Sequence, residues 1–574
     1  MATRVAVLGG GVAGLTAAHE LAERGYHVVV CEARDVAGGK ARSLPVPSSG
    51  TEGRGDLPAE HGFRFFPGFY RHVPDTMARI PSPQGGSVFD RLVGTTRVMF
   101  AQAGGRNDIV GGSELPQSLG DLEVLTRFLY EWSKEIEIPP DEYALLVERL
   151  LTLLVSCDER RYGQWELQGW WAFVGADGRS KQFQKYLAGG LTRTLVAARA
   201  REMSARTGGL ILAQILFDLA RASGRADRVL DGPTSDVWID PWVAHLRSIG
   251  VDLRLGCPVE GIHVKNGRVD GVTAGGGQVT ADYYVAALPV EVMRLLAGPP
   301  LRALDPGLAR LDRLVTRWMN GVLFYFDRDI PIVHGHVIYV DSPWALTSIS
   351  QAQFWDSVDL AGYGDGRVRG ILSVDLSDWE TPGTRVKKVA SRCSRDEIRT
   401  EVWGQLADAL NDSTTLLDEK QLVTWFLDPD IEFPNPSGAT NAEPLLINTA
   451  GSWFDRPQAP TKIGNLLLAS DYVRTYTDLA TMEGANEAAR RAVNAILDRT
   501  GSHASRCGVW RMREPKILEP ARALDRIRWK LHRPVHLPVK VGPQGSLSAS
   551  GSLGRTLLAA GRYSKMPRSP SSRA

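Results

Sequence analysis

Three glycines near the start of the chain, Gly9, Gly11 and Gly14, have the spacing of a dinucleotide-binding turn. They follow the apolar run 5–8 and open a helical pattern, and a second apolar run ends at Glu32. In a βαβ unit of about 30 residues, one glycine makes the turn, one admits a pyrophosphate and one lets the helix pack on the strand. The pattern predicts an α/β fold with a Rossmann-type parallel sheet and a nucleotide at its edge.

The residues after this unit indicate which dinucleotide binds. Glu32 ends the second strand, where its carboxylate can accept ribose hydroxyls, and a glutamate there disfavours a 2′-phosphate. Gly38 and Gly39 add a second glycine turn, followed by the cations Lys40 and Arg42, which can reach a pyrophosphate. A nicotinamide cofactor that binds transiently does not need this second turn. We therefore expect bound FAD.

Composition narrows the class of protein. The 574 residues are 43% hydrophobic and 23% charged, as in a globular protein with a large core. The five cysteines lie far apart without a C-x-x-C pair, which indicates neither a disulfide framework nor a zinc site. His334 and His336 alternate on a predicted strand without a third partner, so no metal site is predicted.

The sequence also bears on location. A predicted strand begins at the first residues and leaves no room for a signal peptide, and no apolar stretch reaches the ~18 residues of a membrane span. We expect a cytoplasmic protein. Residues 501–574 carry 15 Lys and Arg against three acidic residues, so this basic tail can bind an anionic membrane surface peripherally or lie solvated on an acidic body. Nucleic acid is not an expected partner, because no recognised binding module accompanies the charge.

Several segments resemble the flavin amine oxidase superfamily, and in particular its carotenoid branch of phytoene and ζ-carotene desaturases. From Glu32 the chain is similar to the family's E-x5-G-G-(R/K)-x-x-S pattern, and residues 60–70, E-H-G-F-R-F-F-P-G-F-Y, resemble its E-x-G-x-H-x-F-x-G-x-Y stretch. Residues 257–259, 468–472 and 480–485 resemble further motifs of the family. The resemblance spans residues 4–498 and leaves the tail outside.

This resemblance implies where the cofactor lies. In the family, the E-x-G stretch lies beside the flavin ring, an aspartate of the closing motif binds the ribityl and phosphate region, and the start of the last helix faces the flavin pyrimidine. The cofactor-binding residues implied in this chain are Gly9, Gly11, Val12, Ala13, Gly14, Glu32, Ala33, Arg34, Gly38, Gly39, Lys40, Ala41, Arg42, Gly62, Phe63, Arg64, Val259, Asp471, Thr481 and Met482.

Two residues are candidates for the chemistry. Arg64 stands where the family has histidine, and it can face the flavin or hold a polar group of the substrate. His61 can act as an acid or base near neutral pH, although single histidines are more often structural. Aromatic density favours a hydrophobic small-molecule substrate, and the alternative is that these rings are core. The residues predicted to line the substrate are Phe65, Phe66, Tyr70, Trp170 and Trp171.

We expect a split Rossmann-type, GR2-like FAD-binding domain with an inserted helical and β-sheet substrate domain. The FAD-binding domain is predicted to comprise residues 1–80, 241–300, which include a β-meander, and 441–500. The substrate domain is predicted to comprise a mainly helical part, 81–240, and a part with sheet and helices, 301–440. Residues 501–574 are predicted to form a basic, partly disordered tail.

The implied activity is FAD-dependent oxidation, in which a hydrophobic isoprenoid or lipid-like molecule is desaturated and a quinone or oxygen accepts the electrons. The sequence leaves three alternatives open. One is flavin amine oxidation, and another is redox removal of a hydroxyl from a hydroxysqualene-like triterpenoid. The third is a flavin-containing isomerase or binding protein without net redox chemistry.

Overall fold

The computed structural model describes residues 2–110, 119–190, 199–219, 227–412, 414–435 and 438–563. The chain divides into two compact units. Unit 1 comprises Met1–Asp108, Thr194–Ala198 and Asp227–Met512, and unit 2 comprises Ile109–Arg193, Arg199–Ala226 and Arg513–Ala574.

The first sheet of unit 1 has five parallel strands, as the glycine fingerprint predicts. Its central strand, Arg4–Leu8, pairs on one side with His27–Cys31 and on the other with Tyr283–Ala286. Residues 5–8 are completely buried, which is typical of a parallel strand covered on both faces. The strand order is Asp252–Arg254, His27–Cys31, Arg4–Leu8, Tyr283–Ala286 and Leu466–Leu468.

The second sheet of unit 1 has seven strands. One face packs against the helix Arg395–Leu410 through an apolar cluster that includes Phe324 and Trp403. The opposite face carries a second cluster that includes Leu323 and Phe63. The strand order is Leu422–Leu427, Asn320–Phe326, Gly370–Leu376, Leu346–Ser350, Gly335–Tyr339, Arg97–Gln102 and Gly105–Val110.

Smaller elements complete unit 1. The predicted meander consists of Val259–Lys265, Arg268–Ala274 and Gly277–Val279. Short antiparallel pairings join Ser43–Pro45 with Pro58–Glu60, and Asp227–Leu230 with Phe66–Pro67 and Leu92–Gly94. The α-helices include Val12–Ala22, His72–Met77, Asp240–Ser248, Val290–Leu296, Pro299–Leu304, Arg395–Leu410, Ser452–Asp455 and Met482–Thr500.

Unit 2 is mainly helical. Its helix Pro140–Val155 begins with proline, whose missing N–H is not needed in a first turn, and buries one apolar face. An antiparallel hairpin joins Val539–Val541 with Leu547–Ala549. The helices include Leu119–Glu135, Pro140–Val155, Asp158–Gly163, Trp170–Phe173, Ala205–Leu219, Glu519–Lys530 and Gly551–Tyr563.

The basic tail is folded over most of its described length. The Ser- and Gly-rich composition from about Gly542 predicts disorder in the last stretch, where the structure has the strand Leu547–Ala549 and the helix Gly551–Tyr563. A buried acidic residue anchors the part before it. Asp525, in the helix Glu519–Lys530, is 1% exposed and accepts hydrogen bonds from the Cys157 N–H and from Arg160 Nε, both at 3.0 Å. Trp529 of the same helix lies against Gly163. Residues beyond 563 lie outside the described part of the chain.

The region 81–240, predicted to be mainly helical, also contains strands. Arg97–Gln102 pairs in parallel with Gly335–Tyr339 inside the seven-stranded sheet. The functional domain boundaries stay a prediction.

Within the residues described, no helix combines the length and the apolar character needed to cross a membrane. All five cysteines are buried and carry free thiols.

Candidate functional site

Two glycine turns lie against each other at the carboxyl end of the Arg4–Leu8 strand. Gly9 and Gly38 have φ angles of 104° and 107°, a region that glycine adopts readily and other residues do not. The Gly38 N–H donates to the carbonyl oxygen of Gly10 at 2.8 Å, which fixes the second turn to the first. A Cβ on Gly14 would lie 1.8 Å from the Gly9 oxygen, so the first helix packs this closely only because glycine stands there.

Gly11 and Gly39 leave room between the two turns. A Cβ built on Gly11 would meet the Gly39 Cα at 3.6 Å, an ordinary contact distance, and both residues are half-buried. The helix Val12–Ala22 begins here without a side-chain cap, so its first N–H groups are available to an anion. A bound pyrophosphate needs both features, because it must approach the backbone closely and accept hydrogen bonds from free N–H groups.

Glu32 lies beside the same turn. Its Oε2 accepts the Gly10 N–H at 2.6 Å, and its Oε1 accepts the Arg34 N–H at 3.0 Å. Each carboxylate oxygen has a further lone pair, which a ribose hydroxyl can use. The Arg34 side chain pairs with Glu443, and Ala33 is exposed. The room beside Gly11, the uncapped helix and the remaining lone pairs of Glu32 fit the pyrophosphate and ribose of FAD.

The cations of the second glycine turn are paired with carboxylates. Arg42, 4% exposed, lies 3.1 Å from both Asp430 Oδ2 and Glu443 Oε2. Lys40 Nζ lies 2.9 Å from Glu291 Oε1. The structure thus gives each cation a partner within the protein, and contact with a pyrophosphate stays a prediction for both.

Asp430 and Glu443 also lie near His61. The ligand atoms of these three residues are within 4.8 Å of one another, a spacing that suits a metal ion. The Arg42 guanidinium already contacts both carboxylates and supplies the positive charge there. We therefore interpret the cluster as an ion network centred on arginine.

The E-H-G-F stretch, residues 60–63, lies across the seven-stranded sheet. Gly321 permits this approach, because a Cβ there would lie 3.1 Å from the His61 carbonyl oxygen. The Gly321 N–H donates to that oxygen at 2.7 Å, and Asp375 Oδ1 accepts the Phe63 N–H at 3.2 Å. The stretch that the resemblance places beside the flavin is therefore held at two points by the sheet.

His61 is oriented by a carboxylate. Its Nδ1 lies 2.6 Å from Asp428 Oδ2, and that oxygen also accepts a hydrogen bond from Asn320 Nδ2 at 2.7 Å. The Nδ1 contact is a close ion pair that does not meet hydrogen-bond geometry, and His61 Nε2 has no partner of either kind in the described part of the chain. Burial lowers the pKa of His61, but the Asp428 and Asp430 carboxylates outweigh it and raise the pKa above its usual value. An imidazole held in this way can take or release a proton at Nε2.

Asp375 lies near the Arg64 charge and accepts the Phe63 N–H. Burial raises the pKa of Asp375 to about 7, against the opposing effects of the Arg64 charge and the Phe63 N–H. Arg64 is half-buried and donates to the carbonyl oxygens of Gly62 and Lys40. Its charge therefore lies beside the second glycine turn.

The helix Met482–Thr500 begins at the remaining predicted cofactor residues. Thr481 Oγ1 caps it by accepting the Gly484 N–H at 3.2 Å. Thr481, Met482 and Asp471 are half-buried, and so is Val259 at the start of its meander strand. The first-turn N–H groups and the helix dipole stabilise negative charge placed here, as a flavin ring requires.

The predicted substrate-lining residues of unit 1 differ in how deeply they are buried and in what their rings contact. Phe65 is half-buried, with its ring centroid 5.6 Å from that of His336. Phe66 is fully buried against Trp238 and belongs to the core, because neighbouring residues of an extended segment point to opposite sides. Tyr70 is buried with its ring against Phe69.

Trp170 and Trp171 belong to unit 2. Trp170 is fully buried near Phe173, whereas Trp171 is half-buried and donates from Nε1 to Asp177 at 2.8 Å. Contact of either ring with a substrate stays a prediction.

The sequence analysis missed the carboxylates and amides around His61. Asp428 follows the strand Leu422–Leu427 directly, and Asp375 is the penultimate residue of Gly370–Leu376. An acidic residue at the end of an apolar strand is the sequence feature that could have indicated these two site residues. The residues missed are Asn320, Asp375, Asp428, Asp430, Glu443 and Asn441, whose Nδ2 donates to Asn320 Oδ1 at 2.8 Å.

Comparison with known proteins gives the following matches. A family model described as flavin containing amine oxidoreductase matches residues 12–497. A 15-cis-phytoene desaturase of Narcissus pseudonarcissus is 26% identical over 364 residues, 61% of this chain and 59% of that protein, so less than two thirds of its length is matched. A 15-cis-phytoene desaturase of Synechococcus elongatus is 23% identical over 515 residues, 86% of this chain and 96% of that protein.

Among solved structures, cyclohexylamine oxidase from Brevibacterium oxydans IH-35A is similar with a TM-score of 0.57. The match covers 87% of this chain and all of that chain at 15% identity. At such identity the likeness bears on the fold alone, and it agrees with a Rossmann-type α/β fold that carries a second sheet.

Proposed function

Since the chain belongs to the flavin-containing amine oxidoreductase family and is an FAD-dependent oxidoreductase, we propose that it desaturates a hydrophobic isoprenoid or lipid-like substrate. The alignment with phytoene desaturases over most of the chain carries this proposal. The aromatic side chains of Phe63, at the end of the E-H-G-F stretch, and of Phe65, two residues further on, support an apolar substrate. A quinone or oxygen is proposed as the final electron acceptor.

Desaturation removes a hydride and a proton from adjacent carbons and leaves a double bond between them. Bound FAD supplies the hydride acceptor. We assign the proton to His61 Nε2, while the electron pair of that second C–H bond forms the double bond. Asp428 holds the imidazole through Nδ1, and Asn320 in turn holds Asp428. These contacts keep the unpartnered nitrogen of His61 in one position.

Anaerobic incubation of the holoenzyme with isoprenoid hydrocarbons and alcohols tests the proposal. We expect loss of the visible flavin absorbance and a product that lacks two hydrogens. His61→Gln is expected to slow this loss by about 100-fold or more, as for a removed general base, with the FAD content unchanged. An isomer of unchanged mass, formed with the flavin absorbance retained, would overturn the proposal.

Amine oxidation is the second candidate, because the matched family model and the similar cyclohexylamine oxidase are both named for amines. The same anaerobic experiment separates the two. Flavin absorbance that is lost with cyclohexylamine and not with any isoprenoid would favour amine oxidation.

We further propose that unit 2 docks peripherally on an anionic membrane, from which a lipid-like substrate is drawn. Ile527 and Leu531 are 58% and 65% exposed, four residues apart at the end of the helix Glu519–Lys530. Lys530 and Arg533 are exposed beside them. Apolar side chains flanked by cations suit an anionic interface, where each cation contributes about 1 kcal/mol.

Cosedimentation with vesicles tests this docking. We expect binding to phosphatidylglycerol vesicles, little binding to phosphatidylcholine vesicles, and loss of binding in the double variant Ile527→Ser, Leu531→Ser. Leu295→Ser is the matched control, because Leu295 is 84% exposed in unit 1. Equal binding by the double variant and the control would contradict the docking.

A further inference from the structure

One rung of the seven-stranded sheet carries polar side chains on an apolar face. His336 pairs with Ile349, Ile349 with Ser373, Ser373 with Leu323, and Leu323 with Phe426. Directly paired residues of antiparallel strands point to the same side of a sheet. His336 and Ser373 therefore share one face, which we call the His336 face.

The His336 face adjoins the E-H-G-F stretch. Leu323, Ile349 and Phe426 form one apolar cluster with Phe63 and Trp355. The half-buried ring of Phe65 packs on this cluster and contacts His336. The face thus lies where the proposed function places the substrate.

Three hydrogen-bonding atoms in this apolar region have no partner among the described residues: Ser373 Oγ, His336 Nδ1 and Trp355 Nε1. The nearest carboxylate oxygen to His336 Nδ1, Oδ2 of Asp227, is 3.6 Å away and beyond hydrogen-bond reach. A buried tyrosine on the same face shows the usual outcome, because the Tyr325 hydroxyl donates to the Pro58 carbonyl oxygen at 2.9 Å. Buried polar atoms are nearly always paired with protein, water or ligand, so the three atoms of this region are open to a bound molecule that carries a hydrogen-bonding group.

We propose that the His336 face receives a hydroxyl-bearing substrate, an isoprenoid or long-chain alcohol instead of a hydrocarbon. This inference rests on the proposed function and names its substrate class. A hydroxyl donates once and accepts twice, so it can accept from Trp355 Nε1 or Ser373 and donate to Ser373 or His336. Burial lowers the pKa of His336 and keeps the ring neutral, which suits a neutral partner.

A hydrocarbon would leave all three atoms unpaired after the substrate had excluded water. A site built to hydrogen-bond a hydroxyl discriminates strongly against the analogue that lacks it. The alcohol is therefore expected to bind more tightly than a hydrocarbon with the same carbon skeleton.

Phytanol and phytane test the inference, because they differ only in the hydroxyl. Each is titrated into the holoenzyme in detergent micelles, and binding is followed by the perturbation of the flavin absorbance, which needs no turnover. We expect phytanol to bind about tenfold or more tightly than phytane. Ser373→Ala should weaken phytanol binding to the level of phytane and leave phytane binding unchanged.

Ser350→Ala is the matched control. Ser350 is also a buried serine with an unpaired hydroxyl, but it pairs with Leu372, whose side chain lies in the cluster on the opposite face. Its substitution should leave phytanol binding unchanged. Equal affinity of the wild-type protein for phytanol and phytane, or an equal loss of phytanol binding in the two serine variants, would overturn the inference.

The experiments distinguish a failure of the desaturation proposal from a failure of the alcohol-site proposal. A preference for phytanol together with flavin absorbance that no isoprenoid removes would support the alcohol site and overturn desaturation. Loss of the absorbance with hydrocarbons and alcohols alike, at equal affinity, would support desaturation and overturn the alcohol site.

Discussion

Nδ1 of His72 lies 2.7 Å from Oε1 of Glu483, and both residues are almost completely buried. The Glu483 carboxylate also accepts the backbone N–H groups of Arg71, His72 and Val73 at 2.7–2.9 Å. Glu483 therefore caps the helix His72–Met77 while it stands in the first turn of Met482–Thr500. One carboxylate joins the starts of two helices, and the second of these starts is the predicted position of the flavin pyrimidine.

Glu483→Ala should destabilise unit 1 and weaken FAD binding. The change leaves three N–H groups and a buried imidazole without their acceptor, which costs about 3 kcal/mol or more of unfolding free energy. Urea unfolding gives the stability, and fluorescence titration of the apoprotein gives the FAD dissociation constant. Glu52→Ala, at an exposed carboxylate, is the control and should change stability by less than about 0.5 kcal/mol. Equal stabilities for the two variants would contradict this role.

Trp510→Ala tests the attachment of the segment that follows the last helix of unit 1. The Trp510 backbone N–H donates to His72 Nε2 at 2.9 Å, a bond that alanine keeps, and the guanidinium groups of Arg71 and Arg490 lie 5.2 and 5.3 Å from the indole ring, which alanine removes. Loss of the ring should lower the unfolding free energy by about 2 kcal/mol. Phe454→Ala, at a ring 42% exposed, should change it by less than about 0.5 kcal/mol in the same urea titration. A smaller effect at Trp510 than at Phe454 would refute the attachment.

Local patterns predicted much of the nucleotide-binding part of the fold. The glycine spacing anticipated the parallel pairing of Arg4–Leu8 with His27–Cys31, and the last helix that the resemblance implies is observed as Met482–Thr500. Such elements follow from periodicity and turn chemistry within a few residues. The folded tail could not be predicted in this way, because its order depends on Asp525 reaching Arg160 from a distant part of the sequence.

The contacts that orient His61 could not be predicted from the sequence either. His61 was a candidate by residue type, but its orientation depends on Asp428 and Asn320, which the sheet brings together from distant segments. The side of its short strand on which Phe66 lies was likewise not predictable: the ring is buried against Trp238, and its contact with a substrate stays a prediction. Which side chains meet across the fold, and which side of a strand is buried, depend on tertiary packing. A single sequence does not specify that packing.

Asp375→Asn should alter the pH dependence of stability. Burial raises the pKa of Asp375 to about 7, so the folded protein holds this proton at a pH where the unfolded chain has released it. The folded state therefore loses stability as pH rises from about 4 through about 7, by up to about 4 kcal/mol. The asparagine variant lacks this loss and should be less sensitive to pH than the wild-type protein between pH 5 and pH 8. Parallel urea titrations at the two pH values check this, and identical pH sensitivity would contradict a proton held at Asp375.

Asp525→Ala should unfold the tail of unit 2 or weaken it severely. The substitution leaves Arg160, 3% exposed, as a buried charge without its acceptor, at a cost of about 3–5 kcal/mol. Limited proteolysis should then cut within residues 513–563 much faster than in the wild-type protein. Asp177→Ala, at an exposed carboxylate of unit 2, is the control. A tail that stays protected in Asp525→Ala would contradict the anchoring role of this ion pair.

Gly11→Ala and Gly14→Ala should fail for different reasons. A methyl group on Gly14 would lie 1.8 Å from the Gly9 oxygen, so the helix Val12–Ala22 could not keep its place and the variant should lose folded structure. A methyl group on Gly11 meets the Gly39 Cα at 3.6 Å, which the protein tolerates, but it fills the room proposed for the pyrophosphate. The Gly11 variant should therefore keep its circular dichroism spectrum and its urea midpoint while its FAD dissociation constant rises about 100-fold. Full FAD content in the folded Gly11 variant would show that the pyrophosphate does not lie between the two glycine turns.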